Sequence, residues 1–299
     1  MTSWCKTFER HYQIGIVPVT LRTSVRSIVK TYDSLYGYAH VDSRPNPTIE
    51  ITVEPKPFTI RHRPRYNVSV NGQLHFEPTH KGELLPCVEW CVNWELPRLI
   101  PNLLQLHAAT MQVGNQGIIL AAHSGSGKST LSTALLSRGW KYMSDEFALI
   151  DVHSRELHPY PRAICIKKPG YEVIESLGVP FHGKGHYLKG AKGYVRYVRP
   201  LDIRSDALGT SCPIRHVIFP HYIKNAQPQL IPMHRAEAVF ELHKVCFNLL
   251  GCASIPLDVL SGMIRQVTCH RLVTGDIQQS CDLVDDLVQG RIMARAQSA

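Results

Sequence analysis

No stretch of this chain approaches the roughly 18 consecutive apolar residues that a membrane-spanning helix requires. A signal pattern is likewise missing at the N-terminus, so neither a helical span nor export is expected. The nine cysteines are odd in number and scattered, without a C-x-x-C pair, which argues against a disulfide framework and fits a reducing cytoplasm. Cys87 and Cys91, one helical turn apart, read as core packing rather than metal ligands. The 16 histidines contain no H-E-x-x-H or similar pair, so the common zinc-enzyme signature is absent. Internal repeats and low-complexity segments are lacking too. What remains, 44% hydrophobic and 19% charged residues in 299, is the composition of a soluble globular protein. A chain of this length buries about three quarters of its unfolded surface and holds one large domain or two.

The informative stretch is 117–151, GIILAAHSGSGKSTLSTALLSRGWKYMSDEFALID. Residues 117–121 form a short apolar run of the length a buried strand needs. Residues 122–129 then follow the phosphate-loop pattern, ending Gly127-Lys128-Ser129. The small residues Ser124, Gly125, Ser126 and Gly127 let consecutive backbone N–H groups curl round phosphate oxygens. Lys128 supplies a point charge for the β- and γ-phosphates, and the Ser129 hydroxyl, followed by Thr130, is the expected Mg²⁺ ligand. Leu131, Ala134 and Leu135 give the next helix its apolar side, and Gly139 stops it. The positive N-terminal end of that helix faces the phosphates. The strict pattern opens with glycine, whereas this chain has Ala122, which is tolerable only at negative φ.

Residues 140–143 and 147–150 are read as strand, carrying Asp145 and Glu146 between them. Asp145 comes 17 residues after Lys128. A carboxylate pair so soon after the loop helix shares the loop's end of the sheet, where open α/β sheets bind ligands. There it can hold metal-bound water or accept the proton of an attacking hydroxyl.

These residues, together with His107-Ala108-Ala109 upstream and Gly139-Trp140, resemble the kinases related to HPr kinase/phosphorylase, in particular the HPr kinase-related kinase A branch. Glu89-Trp90, Asn93-Trp94 and Phe247-Asn248 fit the same branch. The resemblance covers roughly residues 85–290. It implies an α/β fold, a phosphate-loop kinase core of the HPr kinase and phosphoenolpyruvate carboxykinase type, and an oligomer. It also implies that His107 lies beside the base carboxylate and tunes it. HPr kinase proper carries two aspartates where this chain has Asp145 and Glu146.

The domain organisation expected is a small β-rich N-terminal domain over 1–83, an ATP-binding catalytic domain over 84–290 and a loose tail over 291–299. In the first, 14–19, 48–53, 58–61, 66–70 and 74–76 read as strands, with Asn71-Gly72 a hairpin turn. Residues 82–96 read as a helix ended by Pro97, with Trp90 and Trp94 on one face that packs in the core or at a domain interface. Downstream, 217–219, 229–231 and 268–274 are strands, while 237–250, 257–266 and the segment after Asp276 are helices. The formal net charge is +9, and it is uneven. Residues 162–204 hold nine Lys/Arg against Glu172, Glu175 and Asp202. This glycine-rich, basic stretch reads as a loop region, with 193–198 a strand, and suits an anionic ligand. No nucleic-acid reading motif accompanies it, so a nucleic-acid partner is not expected.

The function expected is a cytoplasmic Mg²⁺- and ATP-dependent kinase. Asp145 takes the proton of a substrate hydroxyl, His107 supports it, and Lys128 with Mg²⁺ on Ser129 and Asp145 or Glu146 stabilises the transferring group. The resemblance implies a serine of a protein or peptide as acceptor. A small-molecule kinase of the shikimate-kinase type and a non-catalytic nucleotide-binding switch are the alternatives.

Overall fold

The structure, a computed structural model, describes residues 6–56, 64–123, 125–250, 252, 254 and 256–290. In chain order the elements are β1 (Phe8–Ile14), β2 (Val17–Thr23), α1 (Arg26–Tyr36), β3 (His40–Val41), β4 (Ile49–Pro55), β5 (Tyr66–Val70), β6 (Gln73–Phe76) and α2 (Leu84–Leu99). Then come β7 (Leu103–Leu106), β8 (Ala108–Val113), β9 (Gln116–Ala121), α3 (Lys128–Ser137), β10 (Lys141–Ser144), β11 (Ala148–Asp151), β12 (Glu156–His158), β13 (Ile164–Lys167) and α4 (Tyr171–Ser176). The chain continues through β14 (Tyr187–Leu188), β15 (Tyr194–Val198), α5 (Pro200–Ile203), β16 (Cys212–Tyr222), β17 (Gln229–Pro232), α6 (Arg235–Lys244), α7 (Pro256–Ile264), β18 (Thr268–Thr274) and α8 (Ile277–Val288). The fold is mixed α/β. It divides into a first unit, Met1–Ile100 with Phe181–Tyr197, and a second, Pro101–Pro180 with Val198–Ala299. The first unit therefore takes in α2 and a returning segment, and runs past the 83/84 division read from the sequence.

The first unit is built on a sheet in the order β3-β1-β2-β4-β5-β6, in which only β2 and β4 pair in parallel. Asn71 (φ 47°) and Gly72 (φ 80°) make the β5–β6 turn, as a two-residue hairpin loop requires. The apolar run 14–19 is not one strand, because Gly15 at φ 61° turns the chain between β1 and β2. The expected strand 58–61 lies outside the described residues, as does the expected tail 291–299. Helix α2 packs on β4 and β5 and buries Leu85, Val88, Val92 and Leu96. Glu89 is buried with them because Tyr36 and Tyr197 donate to its carboxylate at 2.6 and 2.7 Å. With that side of the helix inward, Trp90 and Trp94 are left 45% and 47% exposed, beside Phe76 and His75. Neither tryptophan is therefore part of the core, and of the two packings read from the sequence the core one does not hold. Pro97 lies inside the last turn rather than ending the helix, where it removes one backbone hydrogen bond and its ring crowds the Asn93 carbonyl.

The second unit joins two sheets through the long strand β16. On one side lie β10, β8 and β9; on the other, β12, β11 and β7, while β18 and β17 extend from the later part of β16. Strands β9, β16 and β18 are parallel, so their carboxyl ends point the same way. Ile119, Val217 and Phe219 share a buried cluster with Ala238 and Leu242 of α6 and Leu260, Met263 and Ile264 of α7. Helices α3 and α8 pack together. Arg138 donates to Asp282 and Asp285 at 2.7 and 3.0 Å, and the Trp140 indole N–H donates to Asp285 at 2.7 Å. Helix α6 ends at Lys244, short of the expected 250. The residues after it are drawn into strand-like bonds with β7: Phe247 N–H donates to the Gln105 carbonyl, and Gln105 N–H to Asn248 Oδ1. The basic stretch 162–204 is not a loop. It contains β13, α4, β14, β15 and α5, and it is shared by the two units. Its Arg196 lies over the Phe181 ring at 3.8 Å and Lys189 is buried. No helix of the described residues is long and apolar enough to cross a membrane.

Candidate active site

The loop follows β9, and α3 begins at Lys128 with Gly127 as its N-terminal cap residue. Gly125 and Gly127 have φ of 96° and 89°, a left-handed backbone that a side chain would strain. Among the described residues Asn71, Arg155 and Asn225 are the non-glycine positions with positive φ. Ala122 is not one of them, so its methyl meets no such strain. Lys128 is buried and donates to the Ala122 carbonyl, folding its ammonium over the loop. Ser126 N–H reaches the His123 carbonyl at 3.4 Å. Ser124 lies outside the described residues. Thr130 Oγ1 would stand 3.3 Å from a Cβ on Gly170, just before α4.

The carboxylate pair arrives by a different route from the one the sequence suggested. Residues 140–150 are not one strand but two, β10 paired with β8 and β11 paired with β7 and β12. His107 occupies the bend between β7 and β8, and 145–147 the turn between β10 and β11. Both crossings pass from one sheet to the other at the same level, since Leu106 pairs with Ala148 and Thr110 with Ser144. Ala108 pairs with Ala121, so the same level is also where β9 enters the loop. Ser144 is fully buried, and its hydroxyl accepts from the N–H groups of Glu146 and Phe147 at 3.3 and 3.1 Å. That serine fixes the turn presenting both carboxylates.

Within the turn the two acids face different partners. Ser129 Oγ donates to Asp145 Oδ2 at 2.8 Å. Glu146 lies toward His107, whose Nδ1 is 3.2 Å from the Glu146 carbonyl and 4.0 Å from its Oε1. The ring of Phe147 stands between His107 and Phe247, with centroids 6.5 and 5.0 Å away. His107 N–H is bonded to the Val245 carbonyl at 2.7 Å. His107, Lys128, Ser129, Asp145 and Glu146 are therefore held at one end of the sheet.

A hydroxyl and a carboxylate oxygen at hydrogen-bond distance, with a second carboxylate on the next residue, form a hard-oxygen donor set that fits Mg²⁺. Among the described residues no group of three or more His, Cys, Asp or Glu gathers to hold a metal ion. Mg²⁺ at phosphate sites characteristically uses one or two carboxylates and takes its remaining ligands from phosphate and water, so the smaller set suffices. Thiol chemistry is disfavoured at six cysteines. Burial pushes the thiols of Cys87, Cys91 and Cys281 up to about 12, and those of Cys212, Cys246 and Cys269 up to about 11, which keeps them protonated and inert.

Two contributors escape motif reading. Ser144 acts through its hydroxyl on backbone groups, and only the S-D-E order hinted at it. Tyr222 lies at the end of β16, its Cβ 3.8 Å from where a Cβ on Gly127 would stand, and no local pattern in the sequence connects it with the loop.

No family model matches the chain, and no curated protein matches it in sequence. Among solved structures it is similar to an Hpr(Ser) kinase/phosphatase from Coxiella burnetii, at 14% identity and a TM-score of 0.31, over 65% of this chain and 93% of that one.

Proposed function

We propose that the second unit is a phosphotransferase of the HPr kinase type, moving the γ-phosphoryl group of ATP to a serine hydroxyl of a protein or peptide. The observation that carries this proposal is the Ser129 Oγ to Asp145 Oδ2 contact of 2.8 Å. It joins a phosphate-loop helix to a carboxylate turn that belongs to a different crossing of the fold. In this proposal the N–H groups of 124–127 and the Lys128 ammonium bind and orient the phosphates. Ser129 with Asp145 or Glu146 would hold Mg²⁺, which when bound neutralises charge on the phosphates. Asp145 accepts the proton of the acceptor hydroxyl, and His107 positions the Glu146 side of the turn. The surrounding buried strands keep these groups in place before any ligand arrives, the form of preorganisation on which charge stabilisation in phosphoryl transfer depends.

Incubation of the purified protein with γ-labelled ATP, Mg²⁺ and cell extract tests the proposal, with the labelled acceptor identified by mass spectrometry. Lys128→Ala is expected to lower transfer by at least ~10²–10³. Full turnover by that variant would overturn the assignment of the loop. Tight ATP binding without transfer to any acceptor would instead favour a nucleotide-binding switch.

A further inference from the structure

Resting on that phosphotransferase proposal, we propose that Tyr222 and Ile223 form a subsite for the base of a nucleoside triphosphate. Strand β16 runs parallel to β9, with Ile218 opposite Leu120, and continues to Tyr222. Its carboxyl end thus flanks the loop on the side away from β8. Residues 217–220 of β16 are buried, whereas Tyr222 and Ile223 are 52% and 44% exposed. Two large apolar side chains consequently break the surface next to a loop built of glycine and serine. Gly127 adds no side chain to block the approach.

The sheet order sets which part of a ligand meets this pair. Strands run β10-β8-β9-β16, so the turn after β10 and the bend before β8, which carry Asp145, Glu146 and His107, lie on one side of the loop. Tyr222 lies on the other. A polyphosphate seated on the loop with its terminal phosphate toward the carboxylates has its opposite end directed toward β16. In a nucleoside triphosphate that end carries the sugar and base, whose flat apolar faces stack on aromatic rings.

The segment is also held in place. Ile223 N–H donates to the Thr274 carbonyl at 2.8 Å, and Ala226 N–H to the Ile223 carbonyl at 3.1 Å. A Cβ on Gly275 would stand 1.9 Å from the Ala226 carbonyl oxygen, so the end of β18 and this segment are in close backbone contact. An aromatic side chain on a fixed backbone loses little freedom on binding, which favours a preformed subsite.

Calorimetric titration of the full chain with Mg·ATP and, separately, with Mg·tripolyphosphate tests the inference. The proteins compared are the unaltered chain, Tyr222→Ala, Tyr222→Leu and Tyr222→Phe, each checked by thermal melting. Tyr222→Ala is expected to weaken ATP by about 5- to 150-fold, the range of one base–aromatic stack, and to leave tripolyphosphate affinity unchanged. Tyr222→Phe keeps the ring and should keep ATP affinity. Tyr222→Leu keeps bulk without the ring and gives the same selective loss, and it decides the matter if the alanine variant does not fold. Unchanged ATP affinity in the alanine or leucine variant, with the unaltered chain binding ATP, overturns the subsite and leaves the phosphotransferase proposal standing. Equal loss of both ligands makes Tyr222 a support for the loop and also overturns it. If the unaltered chain binds neither ligand, the phosphate-loop assignment falls and the subsite with it.

Discussion

Asp145 and Glu146 are neighbours in sequence with unlike surroundings: Asp145 accepts from Ser129, whereas Glu146 stands near His107. Substitution should separate their roles. With Asp145 as base, Asp145→Asn keeps size but cannot accept a proton, and single-turnover transfer is expected to fall by roughly 10²–10⁴. Raising Mg²⁺ should not restore it. Glu146→Gln should show a defect that shrinks as Mg²⁺ rises, and the reverse pattern across a Mg²⁺ series would exchange the two roles. A second residue-scale expectation concerns His216 in β16. Burial chiefly, then His270 and Arg215, push its pKa down from 6.5 to about 4, and its Nδ1 lies 2.8 Å from Thr268 Oγ1. Because the unfolded chain binds this proton more readily, stability falls as pH drops through the window between the two values. Thermal melts at pH 7 and pH 5 should differ by roughly 2–4 °C for each kcal/mol lost, and His216→Asn should narrow the difference. An unchanged difference in that variant would place the pH sensitivity elsewhere.

At the scale of elements, the α3–α8 contact depends on how deeply each acid is placed. Asp285 accepts from both Arg138 and Trp140 and its side chain is 22% exposed, whereas Asp282 accepts from Arg138 and is 66% exposed. Asp285→Ala leaves an indole N–H and part of a guanidinium poorly satisfied and should cost about 1–3 kcal/mol. Asp282→Ala, an exposed ion pair, should cost less than about 1 kcal/mol. Denaturant unfolding of the two variants checks this: equal losses would mean that depth of placement does not set the contribution, and negligible losses in both that packing alone holds the helix contact. Elements whose signals are local were legible beforehand. Asn71-Gly72 forced a hairpin, Asp276 capped α8 through Gln279 N–H at 2.9 Å, and the β9–loop–α3 pattern followed from its glycines. Helix α6 stops short of 250 because Val245 and Phe247 suit a helix locally but bond instead to His107, just after β7, and to Gln105 within it. Residues 140–150 were read as one strand because nothing local marks the step between two sheets. Hydrophobicity suits the tryptophans of α2 to a packed face, whereas Glu89, held by two tyrosines, sets the face that is buried in the core.

At the scale of the whole molecule, the two units should respond differently to nucleotide. ATP with Mg²⁺ at 100 times its Kd adds about 2.7 kcal/mol to whatever unfolds together with the loop. Scanning calorimetry is expected to show that shift in one transition, leaving another where it was. A single transition that moves entirely would show instead that the two units unfold together. The sequence by itself determined the glycine-rich loop after β9, its helix and the arrival of two carboxylates soon afterwards, because each depends on spacing along the chain and on what glycine, lysine and short polar side chains do locally. Tertiary structure decided the rest. It brought His107 level with Ala148 and Ala121 through strand pairing, enclosed Ser144 behind the carboxylate turn, placed Tyr222 beside Gly127 and divided the basic stretch between two units. Those outcomes depend on strand register and on which face of each element is buried, and both are set by contacts between residues far apart in the chain.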